Sequence, residues 1–195
     1  MSKRLDYKNK ALLKVGNKSI IERVIDALSE VTESILLITN SPEEFKYLDL
    51  STYSDIIPDS GPLGGIYTGL SISMTYHNLV IACDMPFIQS HILESLINQI
   101  EDNDIVIPVT PDGYHPLCAI YSKKCVNPIE SLINSGSLKV TNLFNYVKVN
   151  KVDFTTYPEF ELNAFFNINT NEDYLMAISL ENTYSVVGRC LMNNL

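Results

Sequence analysis

Three polar residues stand directly behind short apolar runs: Asn40 after Ser34–Thr39 (SILLIT), Asp59 after Asp55–Pro58 (DIIP) and Asp84 after Leu79–Cys83 (LVIAC). If the runs are strands of an open α/β sheet, all three residues fall at carboxyl ends, where such sheets bind ligands, and they are expected to meet in one crevice. Asp84, in IACDMPFI, offers a hard oxygen ligand able to hold Mg2+ through one carboxylate while substrate phosphates supply others. An aspartate behind a strand also serves as a turn or cap residue, and local sequence leaves both roles open. The stretch DSGPLGGIYTGL carries four of the eight glycines: Gly61, Gly64, Gly65 and Gly69. Glycines at a helix start let backbone approach a ligand, and the helix N-terminus favours anions; a tight turn with close helix packing explains them equally. Lys8 and Lys10 lie ahead of the first helical segment, where a lysine suits a triphosphate as a point charge, or simply covers a solvated surface.

The elements that must position these residues follow from apolar period. Ser19–Val31 places Ile20, Ile21, Val24, Ile25 and Leu28 on one helix face. SILLIT and LVIAC have the length and composition of buried strands, and Asp55–Pro58, Asp104–Pro108, Leu117–Tyr121 and Lys151–Phe154 of shorter ones. Helical segments are expected from NSPEEF, over Leu63–Met74, Ile88–Ile100, Val126–Asn134 and Val140–Tyr146, and over Asn171–Ile178 with Asn169 or Thr170 as cap. Apolar strands alternating with helices predict an α/β fold, a mostly parallel sheet with helices on both faces. Residues 182–195 fit either an extra helix or a tail.

Charge is unevenly spread. The net charge is −9, yet seven of the 14 Lys and Arg residues lie in the first 23 positions against two acids, leaving the remainder at −14. That balance argues against a general nucleic-acid surface and leaves the front segment as the candidate anion site. The four cysteines (Cys83, Cys118, Cys125, Cys190) form no CxxC pair and are expected to be buried, reduced thiols in a cytoplasmic protein. No signal peptide and no membrane span are expected, because no apolar run approaches the ~20 residues a span requires.

Taken in order, several motifs resemble a known family. They are S-x-R-L-x(4)-K-A-L-L (Ser2, Arg4, Leu5, Lys10, Ala11, Leu12, Leu13), DSGPLGGI (Asp59–Ile66), CDMPF (Cys83–Phe87), HPLCAIY (His115–Tyr121) and FNINTxED (Phe166–Asp173). They resemble the molybdenum cofactor guanylyltransferases, the MobA-type nucleotidyltransferases, over roughly residues 1–180, with 181–195 as an extension or tail. The resemblance implies a Rossmann-like α/β fold and transfer of GMP from GTP to molybdopterin with release of pyrophosphate. It implies that Lys10 neutralises the triphosphate and that Asn40, Asp59 and the loop Gly61, Pro62, Leu63, Gly64, Gly65 hold the guanosine part. It further implies that Asp84 binds Mg2+, and that His115, Asn167 and Asn169 face the pterin acceptor. GTP and molybdopterin would be its small-molecule partners, with molybdopterin-loading or molybdoenzyme proteins beside them.

One departure stands out. The family motif opens with a strand and two glycines, of the type LAGG-x-S-x-R-M-G, whereas Met1 here occupies the variable position after those glycines and Asp6 stands at a usual glycine. The absent strand would lie centrally, between SILLIT and LVIAC. Two expectations follow: Met1 is an internal residue of a longer enzyme, or the chain is a truncated nucleotide-binding protein with little activity. A relative using another nucleotide or acceptor is the remaining alternative, since the front and CDMP motifs are shared with other nucleotidyltransferases.

Overall fold

A computed structural model describes residues 9–192. The motif residues Ser2, Arg4 and Leu5, with Lys8, lie outside the described residues. A 3-10 turn over Lys10–Leu12 is capped by the Asn9 side chain, which accepts from Ala11 N. A small hairpin follows, β1 (Lys14–Val15) and β2 (Lys18–Ser19), turning at Gly16 with φ +68°, a left-handed conformation that glycine adopts without penalty. Ser19 then starts α1 (Ile20–Ser29), with Glu22 accepting from both its backbone N (2.7 Å) and its Oγ (2.5 Å).

The remaining order is β3 (Leu36–Ile38), β4 (Ser51–Tyr53), α2 (Gly61–Ile72), β5 (His77–Ile81), α3 (Ser90–Ile97), β6 (Ile105–Thr110), β7 (Gly113–Tyr114) and β8 (Cys118–Ser122), followed by α4 (Val126–Asn134), β9 (Val149–Asp153), α5 (Glu159–Leu162) and α6 (Asn171–Met192). β3 and β4 pair in parallel as a sheet of two. The larger sheet runs β5-β8-β6-β7, with β9 on β6. Because β8 is antiparallel to both β5 and β6, and β9 is parallel to β6, the strands β5, β6 and β9 all point one way. The α/β expectation therefore holds, but the larger sheet is mixed and not mostly parallel: three of its four pairings are antiparallel, because β8 is a reversed strand inserted between parallel neighbours and β7 folds back on β6. Its reversal follows from the tight β6–β7 hairpin, whose two loop residues are Pro111 and Asp112 and which sends the chain straight back.

Period-two alternation divides the core between the two faces of the larger sheet. Val106, Cys118 and Ile120 pack with Val24 of α1 and Ile92, Leu93 and Leu96 of α3. Ile105, Ile107, Ala119 and Tyr121 pack with Leu63, Ile66 and Leu70 of α2 and Ile129 and Leu132 of α4. Helices thus cover both faces.

Local expectations are corrected at several points. The strand expected over Asp55–Pro58 lies earlier, at Ser51–Tyr53, because Asp55 N and Ile56 N are taken by the side chains of Asn40 (3.0 Å) and Thr68 (2.9 Å), and Pro58 has no N–H. NSPEEF and Val140–Tyr146 form 3-10 helices, over Pro42–Leu48 and Val140–Asn145. SILLIT and LVIAC are strands, but every residue of β3 and β5 is half-buried instead of buried, since one edge of each lines an open slot. Cys118 and Cys125 are buried as expected, whereas Cys83 opens onto that slot.

Position 181 lies inside α6, which continues to Met192. Glu181 there accepts from Arg23 Nη2 at 2.8 Å, while Arg23 Nε and Nη1 donate to the carbonyls of Pro86 (2.7 Å) and Val15 (2.9 Å). One guanidinium so joins the front hairpin, the CDMP loop and the last helix.

Candidate active site

The basic front segment separates into different roles. Lys18 forms an exposed ion pair with Asp26, and Arg23 is held by Glu181. Lys10, in no described ion pair, extends its Nζ to Asn169 Oδ1 at 3.3 Å. The 3-10 turn places it, because buried Ala11 packs against Ile21 and Phe45 and so anchors the turn beside it.

Asp84 sits just past β5. Its backbone carbonyl accepts from Ile168 N (3.0 Å), which docks the FNINT segment against the CDMP loop. Its Oδ1 is a buried oxygen with no hydrogen-bond partner among the described residues. Burial pushes its carboxyl pKa above the ordinary 3.8, and the Lys10 charge works against that rise. An orphaned buried carboxylate oxygen beside a cation fits a hard divalent metal. No cluster of three or more His, Cys, Asp or Glu ligands occurs among the described residues, so such a metal would take its other oxygens from phosphate and water.

Asn169 is held by α6. Asp173 Oδ2 accepts from the backbone N of Asn169 (2.9 Å) and Thr170 (2.8 Å), and Asp173 N donates to Thr170 Oγ1 (3.1 Å). This box lowers the Asp173 pKa from its usual value through those hydrogen bonds and the Lys10 charge, against an opposing desolvation that is the largest single influence.

Asn40 follows β3 as expected, but its partner is Asp55. Asn40 Nδ2 donates to Asp55 Oδ2 (2.9 Å), and its Oδ1 accepts from Asp55 N (3.0 Å). Asp55 Oδ1 is left facing Gly65. Asp59 lies instead in an exposed turn with φ +57°, its side chain in no described hydrogen bond. Asp55 is thus the carboxylate that sequence reasoning passed over, because DIIP was assigned to a strand. The available signal was its own position, a second aspartate six residues ahead of Gly61.

Within the glycine loop the residues divide. Leu63 is core, so its side chain is withdrawn from any ligand. Gly61 opens α2 with φ +55°, and Pro62 follows it in the first turn. A Cβ on Gly64 would sit 2.8 Å from Ser60 Cβ and 3.2 Å from Ile57 O, so Gly64 serves close packing. A Cβ on Gly65 would meet only Asp55 Oδ1, at 3.9 Å, an ordinary van der Waals contact, so the position has room for a methyl group. Gly64→Ala is therefore expected to lower stability by about 1–3 kcal/mol through overpacking. Gly65→Ala should instead raise it by up to ~1 kcal/mol, as for alanine in a helix. Urea unfolding of both variants checks this, and equal shifts would refute the division.

His115 and Asn167 gather at Phe165. The His115 ring lies 4.8 Å from that of Phe165, and Asn167 Nδ2 donates to Phe165 O at 3.1 Å. His115 Nε2 also bonds Thr110 Oγ1 at 2.8 Å. Burial lowers the His115 pKa below 6.5, with Asp112 opposing, which keeps the ring neutral at pH 7. Cys83 is exposed to the slot, yet desolvation by the surrounding walls and the Asp84 charge raise its thiol pKa to about 11, which favours the protonated thiol at neutral pH.

Thr39, Tyr53, Pro62, Gly65, Cys83 and Asp84 line one cavity of about 830 Å3. The arrangement presents a lysine cation in no described ion pair, a carboxylate with one oxygen unpartnered among the described residues, a clamped Asn–Asp pair and helix backbone at strand carboxyl ends. That set suits binding a nucleoside triphosphate and holding its phosphates for transfer.

Comparison with known proteins agrees. Residues 1–147 match the family model of the MobA-like NTP transferase domain. A Clostridium perfringens protein named "Probable molybdenum cofactor guanylyltransferase" is 39% identical over 177 residues, covering 89% of each chain. Among solved structures, molybdopterin-guanine dinucleotide biosynthesis protein A from Archaeoglobus fulgidus has a TM-score of 0.78 at 24% identity, covering 94% of this chain and 95% of that one. The 2-C-methyl-D-erythritol 4-phosphate cytidylyltransferase of Thermus thermophilus shares the fold with a TM-score of 0.70 at 14% identity, covering 89% and 94%.

Proposed function

Because the chain belongs to the family of MobA-like NTP transferase domains, we propose that it transfers GMP from GTP to the molybdopterin cofactor in molybdenum cofactor biosynthesis. The observation that carries this is the juxtaposition of Lys10, linked to Asn169, with the orphaned buried oxygen of Asp84. A phosphate oxygen of molybdopterin attacks the α-phosphorus of GTP; the bond from that phosphorus to the α,β-bridging oxygen breaks, and pyrophosphate leaves. Lys10 draws the triphosphate into place and offsets its charge. Asp84 is the residue that would hold Mg2+, which when bound neutralises phosphate charge. No protein nucleophile is needed, and positioning carries most of the catalysis.

Asp55 reads the base in this scheme. Guanine presents adjacent N1–H and N2–H donors, which a carboxylate accepts together; adenine and cytosine present no such pair. Asn40 fixes the carboxylate, and Gly65 leaves room above α2. His115 and Asn167 stand on the acceptor side. A cytoplasmic location and hand-over of product to molybdoenzyme partners belong to the same proposal; no described helix is long and apolar enough to cross a membrane.

Pyrophosphate release with molybdopterin and each of the four NTPs tests the assignment. GTP is expected to be used, and turnover with CTP in its place would refute it. Asp55→Asn should lower kcat/KM for GTP about 100-fold through the lost paired acceptor, with a smaller loss for ITP, which lacks the 2-amino group. Equal losses for both nucleotides would remove Asp55 from base selection.

A further inference from the structure

Among the described residues, Arg23 borders not the cavity of Thr39 and Asp84 but a separate cleft of about 430 Å3 behind the CDMP loop, shared with Pro86 and Phe87. Its place follows from α1, where Ile20, Arg23 and Ala27 succeed one another at steps of three and four residues and so share a flank. Beside it, one small cluster takes one residue from each of five segments: Val15 of β1, Ile20 of α1, Phe87 of the CDMP loop, Ile168 of the FNINT segment and Ala177 of α6. Apolar contacts hold these segments together but are non-directional, so they do not set how one is turned against another.

The guanidinium is directional. It donates from Nε to Pro86 O at 2.7 Å and from Nη1 to Val15 O at 2.9 Å, and its carbon stands 5.6 Å from the centre of the Phe87 ring. Pro86 has no N–H, so that carbonyl is its one backbone hydrogen-bonding group. It lies two residues past Asp84, whose own carbonyl accepts from Ile168 N at 3.0 Å. Val15 belongs to the hairpin behind Lys10, and Leu13 joins the two: its N donates to Lys10 O at 3.0 Å, and its O accepts from Ile20 N at 2.9 Å. One rigid fork thus spans from the segment carrying Lys10 to the loop carrying Asp84. Glu181, accepting from Nη2 at 2.8 Å, offsets its charge, so that geometry is what Arg23 supplies.

We propose that Arg23 is a positioning residue for the transfer, a spacer that fixes Lys10 and Asp84 at the separation the phosphates require, from outside the nucleotide cavity. It rests on the phosphate-facing roles proposed for Lys10 and Asp84.

The test compares Arg23→Met and Arg23→Lys with Ile129→Val, a core truncation in α4 that loosens the protein away from this junction. Arg23→Met is expected to lower kcat for guanylyl transfer about 30-fold, with less than about a threefold change in KM for GTP. Arg23→Lys should stay within about threefold of Arg23→Met, because an ammonium keeps the charge and loses the fork. Without nucleotide or metal, exchange of the Ile168 amide, which Asp84 O accepts, should quicken about tenfold against the β6 amides in both Arg23 variants and not in Ile129→Val. In the Asp84→Asn background the Arg23→Met loss should shrink to about threefold or less, since its effect passes through the group already removed. Recovery of the parent kcat by Arg23→Lys overturns the proposal in favour of a bare cation. Unchanged Ile168 exchange in the Arg23 variants overturns it, as does equal acceleration in Ile129→Val, which makes Arg23 a general brace. Losses that multiply in the double variant overturn it too. Should Arg23→Met not fold, Arg23→Lys alone decides both readouts. If the parent uses CTP in place of GTP, the proposed function falls and the kcat comparison is made with CTP; Ile168 exchange decides the spacer either way.

Discussion

Asp84→Asn is expected to lower guanylyl transfer by about 1000-fold, or ~4 kcal/mol of transition-state stabilisation, while making the protein more stable at pH 7. The two effects have one cause. The carboxylate is buried, its Oδ1 has no described partner, and its pKa lies above 3.8 because burial disfavours the charged form. The folded state therefore binds this proton more tightly than the unfolded chain. That contribution is fully present below pH 3.8 and is lost as pH rises through the elevated folded value. At neutral pH the charge is a stability cost, which the isosteric amide relieves. Mg2+ should raise the melting temperature of the parent by binding the native state, and should fail to do so in the variant. Activity within tenfold of the parent, or an equal Mg2+ shift in both proteins, would sink the assignment.

Lys10→Ala is the second large effect, with an expected loss of about 100-fold in kcat/KM for GTP from removing the cation proposed to face the phosphates. Lys10→Arg should restore part of it, since a planar fork replaces a compact ammonium. Lys10 also counters the upward shift of Asp84, so its loss moves the Asp84 titration further up. The acidic limb of the Mg2+-dependent melting temperature should then move to higher pH. Asn169→Ala is expected to cost about tenfold and to be non-additive with Lys10→Ala, because the two side chains meet. Additive losses in the double variant would show that the 3.3 Å contact does not organise the site.

Lys10, Asn40 and Asp84 could be singled out in advance because strand ends and a basic cluster mark themselves locally. The link from Lys10 to Asn169 spans 159 positions and has no local signature; resemblance to a family put both near the site, and folding supplied their contact. Asp55 was passed over because its backbone commitments, to Asn40 and through Ile56 to Thr68, are tertiary. SILLIT and LVIAC announced strands by length and branching, but their half-burial depends on what borders them, which no window of sequence contains. The reversed β8 did have a signal in Pro111-Asp112-Gly113, turn residues between two apolar runs, of which Pro111 and Asp112 form the loop and Gly113 takes φ +112° at the first position of β7.

The Arg23 junction also orders events during synthesis. Its three acceptors belong to Val15, Pro86 and Glu181, so the guanidinium is fully engaged after nearly the whole chain has left the ribosome. Val15 and Pro86 can tie the hairpin behind Lys10 to the loop carrying Asp84 early, but the last helix, and with it the Asn169 and Ile168 contacts to Lys10 and Asp84, joins them only at the end. The nascent chain can build its helices and the larger sheet early, from shorter-range contacts, while the nucleotide end sets last. An amino-terminal two-thirds fragment should accordingly collapse around β5, β6 and β8 yet hold GTP poorly, and release of the last helix becomes the step that switches binding on.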